Sequence, residues 1–242
     1  MIVIVASRWD PTATALAARW ATHDAQVLTP RDLSVAGWRQ RLNRSSDRKG
    51  VSRGSAVVNG NVVPQEQITG VLTLLPGVSA DELADITPRD RPYVAAEMTA
   101  FLLLWLSRLR CPVLNRPTPT CLSGPHWRQE KWVQVAAQAG IPVQAICRLA
   151  VFGKSSVEEQ GAADAVALTV IGPHTLGDTD PELHRRAHLL ADLAQVELVR
   201  ILFSGPQRDA RFLGADTFPA LTDDYLMERV LEYLCGGAAV AA

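Results

Sequence analysis

The chain opens on Met-Ile-Val-Ile-Val-Ala, and this run constrains the fold more than any other segment. A short, uninterrupted apolar stretch rich in β-branched residues has no polar face to show to water. It is the pattern of a strand buried on both faces, and in practice of a strand in a parallel sheet. Parallel neighbours need crossover connections, and the next residues supply one. Pro11 suits the first turn of a helix, and the Ala-rich stretch Thr12–Trp20 continues it. Ala25–Leu28 reads as the second strand, closed by Pro30. The turn after the first strand is Ser-Arg-Trp-Asp-Pro, not Gly-x-Gly-x-x-Gly, so dinucleotide binding of the usual kind is disfavoured.

The pattern then changes twice. Residues 39–53 hold six Arg or Lys and one Asp, which predicts an exposed loop, either merely solvated or placed to contact an anion. Asn59-Gly60 between valine pairs predicts a hairpin with a type I′ turn. Gly70–Leu75 reads as another buried strand, ended by Pro76-Gly77. Pro92–Arg110 is strongly apolar but contains Glu97 and Arg108, so it reads as a core helix. Its expected core face is Val94, Met98, Phe101, Leu102, Trp105 and Leu109. Glu97 has two readings: a ligand-facing carboxylate near the domain cleft, or an ion pair with Arg91 or Arg116. Cys111–Asn115 predicts a short strand.

Thr118–Gly124, rich in Pro, Thr and Gly, reads as a domain hinge, and Pro125 opens a helix that stops at Gly140. Beyond it, strands are expected at residues 144–152, Val166–Ile171, Val196–Phe203 and Arg211–Ala215, with a polar turn over Ser155–Gly161. Helices are expected at Pro181–Ala194 and Asp223–Cys235, and the last residues should fray. Trp105, Trp127 and Trp132 are expected to pack where the two halves meet. His184 and His188 are spaced i, i+4, but Arg185 and Arg186 beside them favour a surface pair over a metal site. The cysteines Cys111, Cys121, Cys147 and Cys235 lack C-x-x-C spacing, which disfavours structural zinc and a thioredoxin motif.

Charge and hydropathy narrow the functional classes. Across 242 residues, 24 Lys and Arg balance 25 Asp and Glu for a net charge of −1, giving no global attraction to nucleic acid. No apolar run is long enough to span a bilayer, and the N-terminus has no basic, cleavable signal pattern. A cytoplasmic protein with reduced thiols is the expectation. Only three residues are lysine, Lys49, Lys131 and Lys154, which limits any mechanism that needs several.

Four segments in order then carry a resemblance: the Pro92 helix, the strand exit Pro-Val-Leu-Asn-Arg-Pro, the helix ending Ala-Gln-Ala-Gly, and Ile141-Pro142-Val143. With Phe212–Pro219 and the terminal helix they resemble ATP-grasp proteins, most closely the peptide-modifying ligases. That resemblance implies an α/β chain with a Rossmann-like pre-ATP-grasp domain over 1–117 and a truncated ATP-grasp-like α+β domain over 118–242. It also implies the family's chemistry, in which ATP activates a carboxylate for attack by an amine. Lysines hold the phosphates, and magnesium sits on acidic side chains of the last strands.

Set on that pattern, this sequence departs where the chemistry is densest. The terminal Glu falls on Gly214 and the Asn on Asp216, which could still ligand a metal. The acidic residue of the preceding strand falls near Val199–Leu202, where Arg200 is the only polar side chain. Between Val143 and Val166 the chain is short for a lid subdomain and offers one lysine, Lys154; Lys131 reads as a solvated charge. The resemblance therefore implies a degenerate pseudoenzyme or accessory protein of a modification pathway. Such a protein would bind a peptide, a nucleotide or a partner enzyme and could form a homodimer. The alternative is a residual ligase. No catalytic residue or metal site is assigned, and ATP and Mg2+ stay open as cofactors. Lys154, Asp216 and Arg116 are the residues expected to contact the nucleotide.

Overall fold

The computed structural model describes residues 1–40, 54–145, 149–151, 154–156 and 165–236. Most of the basic stretch 39–53, Cys147, much of the polar turn after Ser156 and the last six residues lie outside them. Contacts divide the chain into two units: residues 1–124 with 220–242, and residues 125–219.

The first unit is built on the strand that opens the sequence, β1 (Ile2–Val5), whose four residues are all fully buried. Asp10 caps α1 (Pro11–Arg19) by accepting from Thr12 N at 2.8 Å, and Pro11 enters the first turn as expected. The crossover returns β2 (Ala25–Leu28) parallel to β1. Next come β3 (Ser55–Val58) and β4 (Asn61–Pro64), an antiparallel pair around Asn59 and Gly60, with φ of 49° and 75°. Positive φ at both positions is what a type I′ turn demands. β5 (Gly70–Thr73) pairs with β1 on the side away from β2. The long helix α2 (Arg91–Arg108) then leads to β6 (Val113–Leu114), giving a parallel sheet in the order β2-β1-β5-β6.

Side-chain alternation along β1 splits its residues between two faces. Val3 and Val5 join a cluster with Leu102, Trp105 and Leu106 of α2 and with Ala56, Val58 and Val63 of the hairpin. Trp38 packs edge-on against Phe101 and Trp105, with ring centroids 5.1 and 5.5 Å away.

The second unit is a one-sided antiparallel sheet. Its first helix, α3 (Gln129–Gln138), starts four residues later than expected. Pro125 lies in an extended lead-in instead, where its carbonyl accepts from Thr217 Oγ1 at 3.3 Å. Gly140 ends the helix as expected, with a left-handed φ of 75°. A small hairpin follows, β7 (Leu149–Val151) with β8 (Lys154–Ser156). Then come β9 (Val166–Ile171), β10 (His174–Leu176), α4 (Pro181–Ala194), β11 (Leu198–Phe203) and β12 (Phe212–Asp216). The strand order is β10-β9-β11-β12. Leu168, Val170, Val199, Ile201 and Phe203 bury one sheet face against Trp132 and Ala136 of α3 and Leu183, Ala187 and Leu190 of α4.

The last helix, α5 (Asp224–Gly236), returns to the first unit. A Cβ on Gly70 would stand 2.7 Å from the carbonyl oxygen of Leu234, so glycine is required for the helix to approach β5 this closely. The expected domain line ran at 117/118; the contacts group 1–124 with 220–242 and set 125–219 apart. The stretch read as a hinge is packed: Thr118 and Cys121 exchange backbone hydrogen bonds, and Leu122 and Ser123 are buried. The tryptophans also separate, Trp105 into the first core and Trp127 with Trp132 into the second, their rings 4.8 Å apart.

Two outcomes follow. Gly70→Ala should lower stability by about 1–3 kcal/mol in urea denaturation, because the added methyl must push α5 from the sheet. Burial pushes the Cys111 thiol up to about 11, so its thiolate is scarce at neutral pH. Iodoacetamide should modify Cys111 on the order of 100-fold more slowly in the native protein than in urea, measured by peptide mass spectrometry.

Candidate functional site

Antiparallel register places three polar residues in one row across the second sheet. Arg200 of β11 pairs with Asp216 of β12 on one side and with Thr169 of β9 on the other. Directly opposed residues share a face, about 5 Å apart. Arg200 and Asp216 are exposed and Thr169 is half-buried. In the next row Leu202 stands between Ala167 and Gly214. The alternation that buries Val199, Ile201 and Phe203 puts Arg200 on the opposite face.

The loop leaving β12 is pinned from two sides. Asp216 Oδ1 accepts from Phe218 N at 2.8 Å, and Gln129 Nε2 donates to Leu213 O at 3.0 Å. Thr217 donates to Pro125, and His126 meets the Phe218 ring edge-on at 6.3 Å. The strand exit therefore holds Asp216 in place with one oxygen already engaged.

The expected nucleotide contacts are not brought into one unit. Arg116 belongs to the first, and its guanidinium donates to Leu109 O and Cys111 O, both at 3.3 Å, tying the strand exit to the end of α2. Asp216 and Lys154 belong to the second. Lys154 opens β8, opposite Val151. Lys131, read as a solvated charge, lies over the Trp127 ring with its Nζ 5.7 Å from the centroid. The His184/His188 pair gathers no third ligand among the described residues, and His188 Nε2 is 2.7 Å from Thr175 Oγ1. Glu97 takes neither arginine named for it. Arg91 donates to Ala84 O and Ile86 O, and Arg116 is engaged as above.

The row does not fit a magnesium ion held as the family pattern implies. Mg2+ asks for oxygen ligands in near-octahedral array. Here the residue paired across the strands with Asp216 is an arginine, whose positive charge disfavours a divalent cation, and the other expected position is glycine. That glycine is not forced by crowding. A Cβ on Gly214 would meet Gln129 Nε2 at 3.6 Å, an ordinary contact, and its φ is not left-handed. Thr169 and Gln129 were missed from sequence. Thr169 has a signal, a lone polar residue inside Val-Ala-Leu-Thr-Val-Ile, but its row partners emerge only from strand register.

No protein-family profile matches the sequence, and no curated protein does. Solved structures do. The chain is similar to the macrocyclase MdnC of Microcystis aeruginosa MRC, solved with precursor peptide MdnA. The TM-score is 0.65 at 12% identity, over 98% of this chain and 100% of that one. It is similar to a RiPP-associated ATP-grasp ligase of Chryseobacterium gregarium, solved with ADP and a leader and core peptide. That match has a TM-score of 0.63 at 11% identity, over 97% and 96% of the two chains. The ATP-grasp ligase PsnB, with a phosphomimetic variant of its minimal precursor, Mg and ADP, gives 0.65 at 14% identity, over 96% and 97%.

The room at Gly214 has a measurable consequence. Gly214→Ala should leave stability unchanged or raise it by up to about 1 kcal/mol, read from the urea midpoint. From its two packed units and these matches, the chain has the fold of ATP-grasp ligases solved with peptide precursors.

Proposed function

We propose that this chain is a non-catalytic protein of ATP-grasp fold that binds a peptide or a partner enzyme in a peptide-modification pathway. One observation carries the reading: the Thr169–Arg200–Asp216 row, in which a guanidinium stands where the resemblance calls for a metal-binding carboxylate. In phosphoryl transfer, metal ions neutralise the charge that builds on the phosphates. An arginine fixed in the strand beside the one remaining acid works against that, whereas it suits an anionic group such as a peptide carboxylate. The peptide half of the reading rests on the likeness to MdnC, the Chryseobacterium ligase and PsnB, each solved with a peptide or precursor.

ATP turnover separates this reading from a residual ligase. Purified protein incubated with millimolar ATP and MgCl2 is expected to form no ADP above a protein-free blank. MgATP at the same concentration should leave Tm unmoved, since a ligand stabilises the folded state in proportion to its occupancy. Mg2+-dependent ADP formation that disappears in Asp216→Ala would overturn the reading, because it would show ATP turnover at a metal held by that carboxylate.

A further inference from the structure

Glu97 stands on the apolar helix α2, and its surroundings form a groove of about 460 Å³ lying wholly within the first unit. Met98 and Phe101 of α2 line one side, and Leu33, Val35 and Trp38 line the other. Glu97 is the single ionisable residue in that lining. It forms no ion pair among the described residues, and Arg91 and Arg116 donate to backbone carbonyls instead. The groove therefore offers apolar walls and one negative charge that no described residue pairs with.

Its walls are set before anything binds. Trp38 Nε1 donates to Asp32 O at 2.9 Å, and the Trp38 ring is wedged against Phe101 and Trp105. Asp32 is itself buried, and its carboxylate accepts from Thr29 N at 2.8 Å and Gly60 N at 2.7 Å. Gly37, at φ +134°, lets the backbone run so close to β4 that a Cβ there would collide with Val62. A preformed apolar site with one placed polar group is the usual anatomy of a ligand site, and the volume falls in the range of about 300–1,000 Å³.

We propose that this groove binds a peptide segment in which a basic side chain stands beside an apolar one. The apolar residue packs on Met98, Phe101 and Trp38. The stem of the basic residue lies along the aromatic rings, and its cationic head meets Glu97. The groove is open to solvent along one side, with Val35 37% exposed on its rim. An open trough suits an extended chain that leaves at both ends, whereas a free small amine needs most of its surface enclosed. The site belongs to the first unit and does not rest on the reading of the Arg200 row.

Three probes and one variant test it, followed by NMR shifts of α2 amides. N-acetyl-Phe-Lys-Leu-amide should bind saturably at millimolar concentration. The same peptide with norleucine in place of lysine should bind at least about ten-fold more weakly, as should the lysine peptide to Glu97→Gln. Glu97 is exposed, so that variant tests charge without disturbing the core. Absence of saturation, equal affinity for the lysine and norleucine peptides, or indifference to Glu97→Gln would overturn the proposal. So would n-hexylamine binding as tightly as the lysine peptide, since that would make the groove a small-amine site.

Discussion

Antiparallel pairing between β11 and β12 decides what the second unit can do. Register in a sheet with one buried face is not free, because a slip of one residue would turn Val199, Ile201 and Phe203 out of the core. Burial of those three side chains obliges Arg200 to face the other way, directly across from Asp216. The face on which Arg200 stands is thus a consequence of the hydrophobic core. It cannot be moved by a local adjustment of the loop. The loop after β12, held through Gln129, Thr217 and Asp216 itself, adds a second restraint.

The first unit depends on a comparable constraint. With β1 buried on both faces, something must cover each side, and α2 with the β3–β4 hairpin covers the side of Val3 and Val5. α5 reaches the same sheet by closing on Gly70. Contact of this kind places the last helix with residues far away in sequence, so the second unit is an insertion between Gly124 and Ala220.

Local signals were legible, and non-local ones were not. Asn59-Gly60 announces its hairpin because the backbone angles are written in the two residue types. Val166–Ile171 and Pro181–Ala194 have the bounds expected of them, since apolar period and capping residues mark both ends. The start of α3 was misjudged because Pro125 is compatible with a first helical turn. Only Thr217, ninety-two positions later, shows that its carbonyl is used elsewhere. The segregation of Trp105 from Trp132 has the same origin: composition shows that a tryptophan will be buried but not in which core. At the candidate site, Gly214 and Arg200 could be flagged only through the resemblance to the ATP-grasp ligases. Thr169, their neighbour across the sheet, needed the register. Glu97 remained ambiguous because either arginine could reach it in principle, and both turn out to serve carbonyl oxygens.

The matched structures are spanned nearly end to end, so the reading of function rests on side chains at the strand ends and not on chain length. Its central claim is electrostatic: Arg200 keeps a divalent cation away from Asp216. Mn2+ stands in for Mg2+ and reports its own binding through electron paramagnetic resonance, so the claim can be read directly. The protein titrated with Mn2+ and ADP should show no immobilised ion, and Arg200→Glu should create a saturable site. Immobilised Mn2+ in the unmodified protein, lost on Asp216→Ala, would contradict the account.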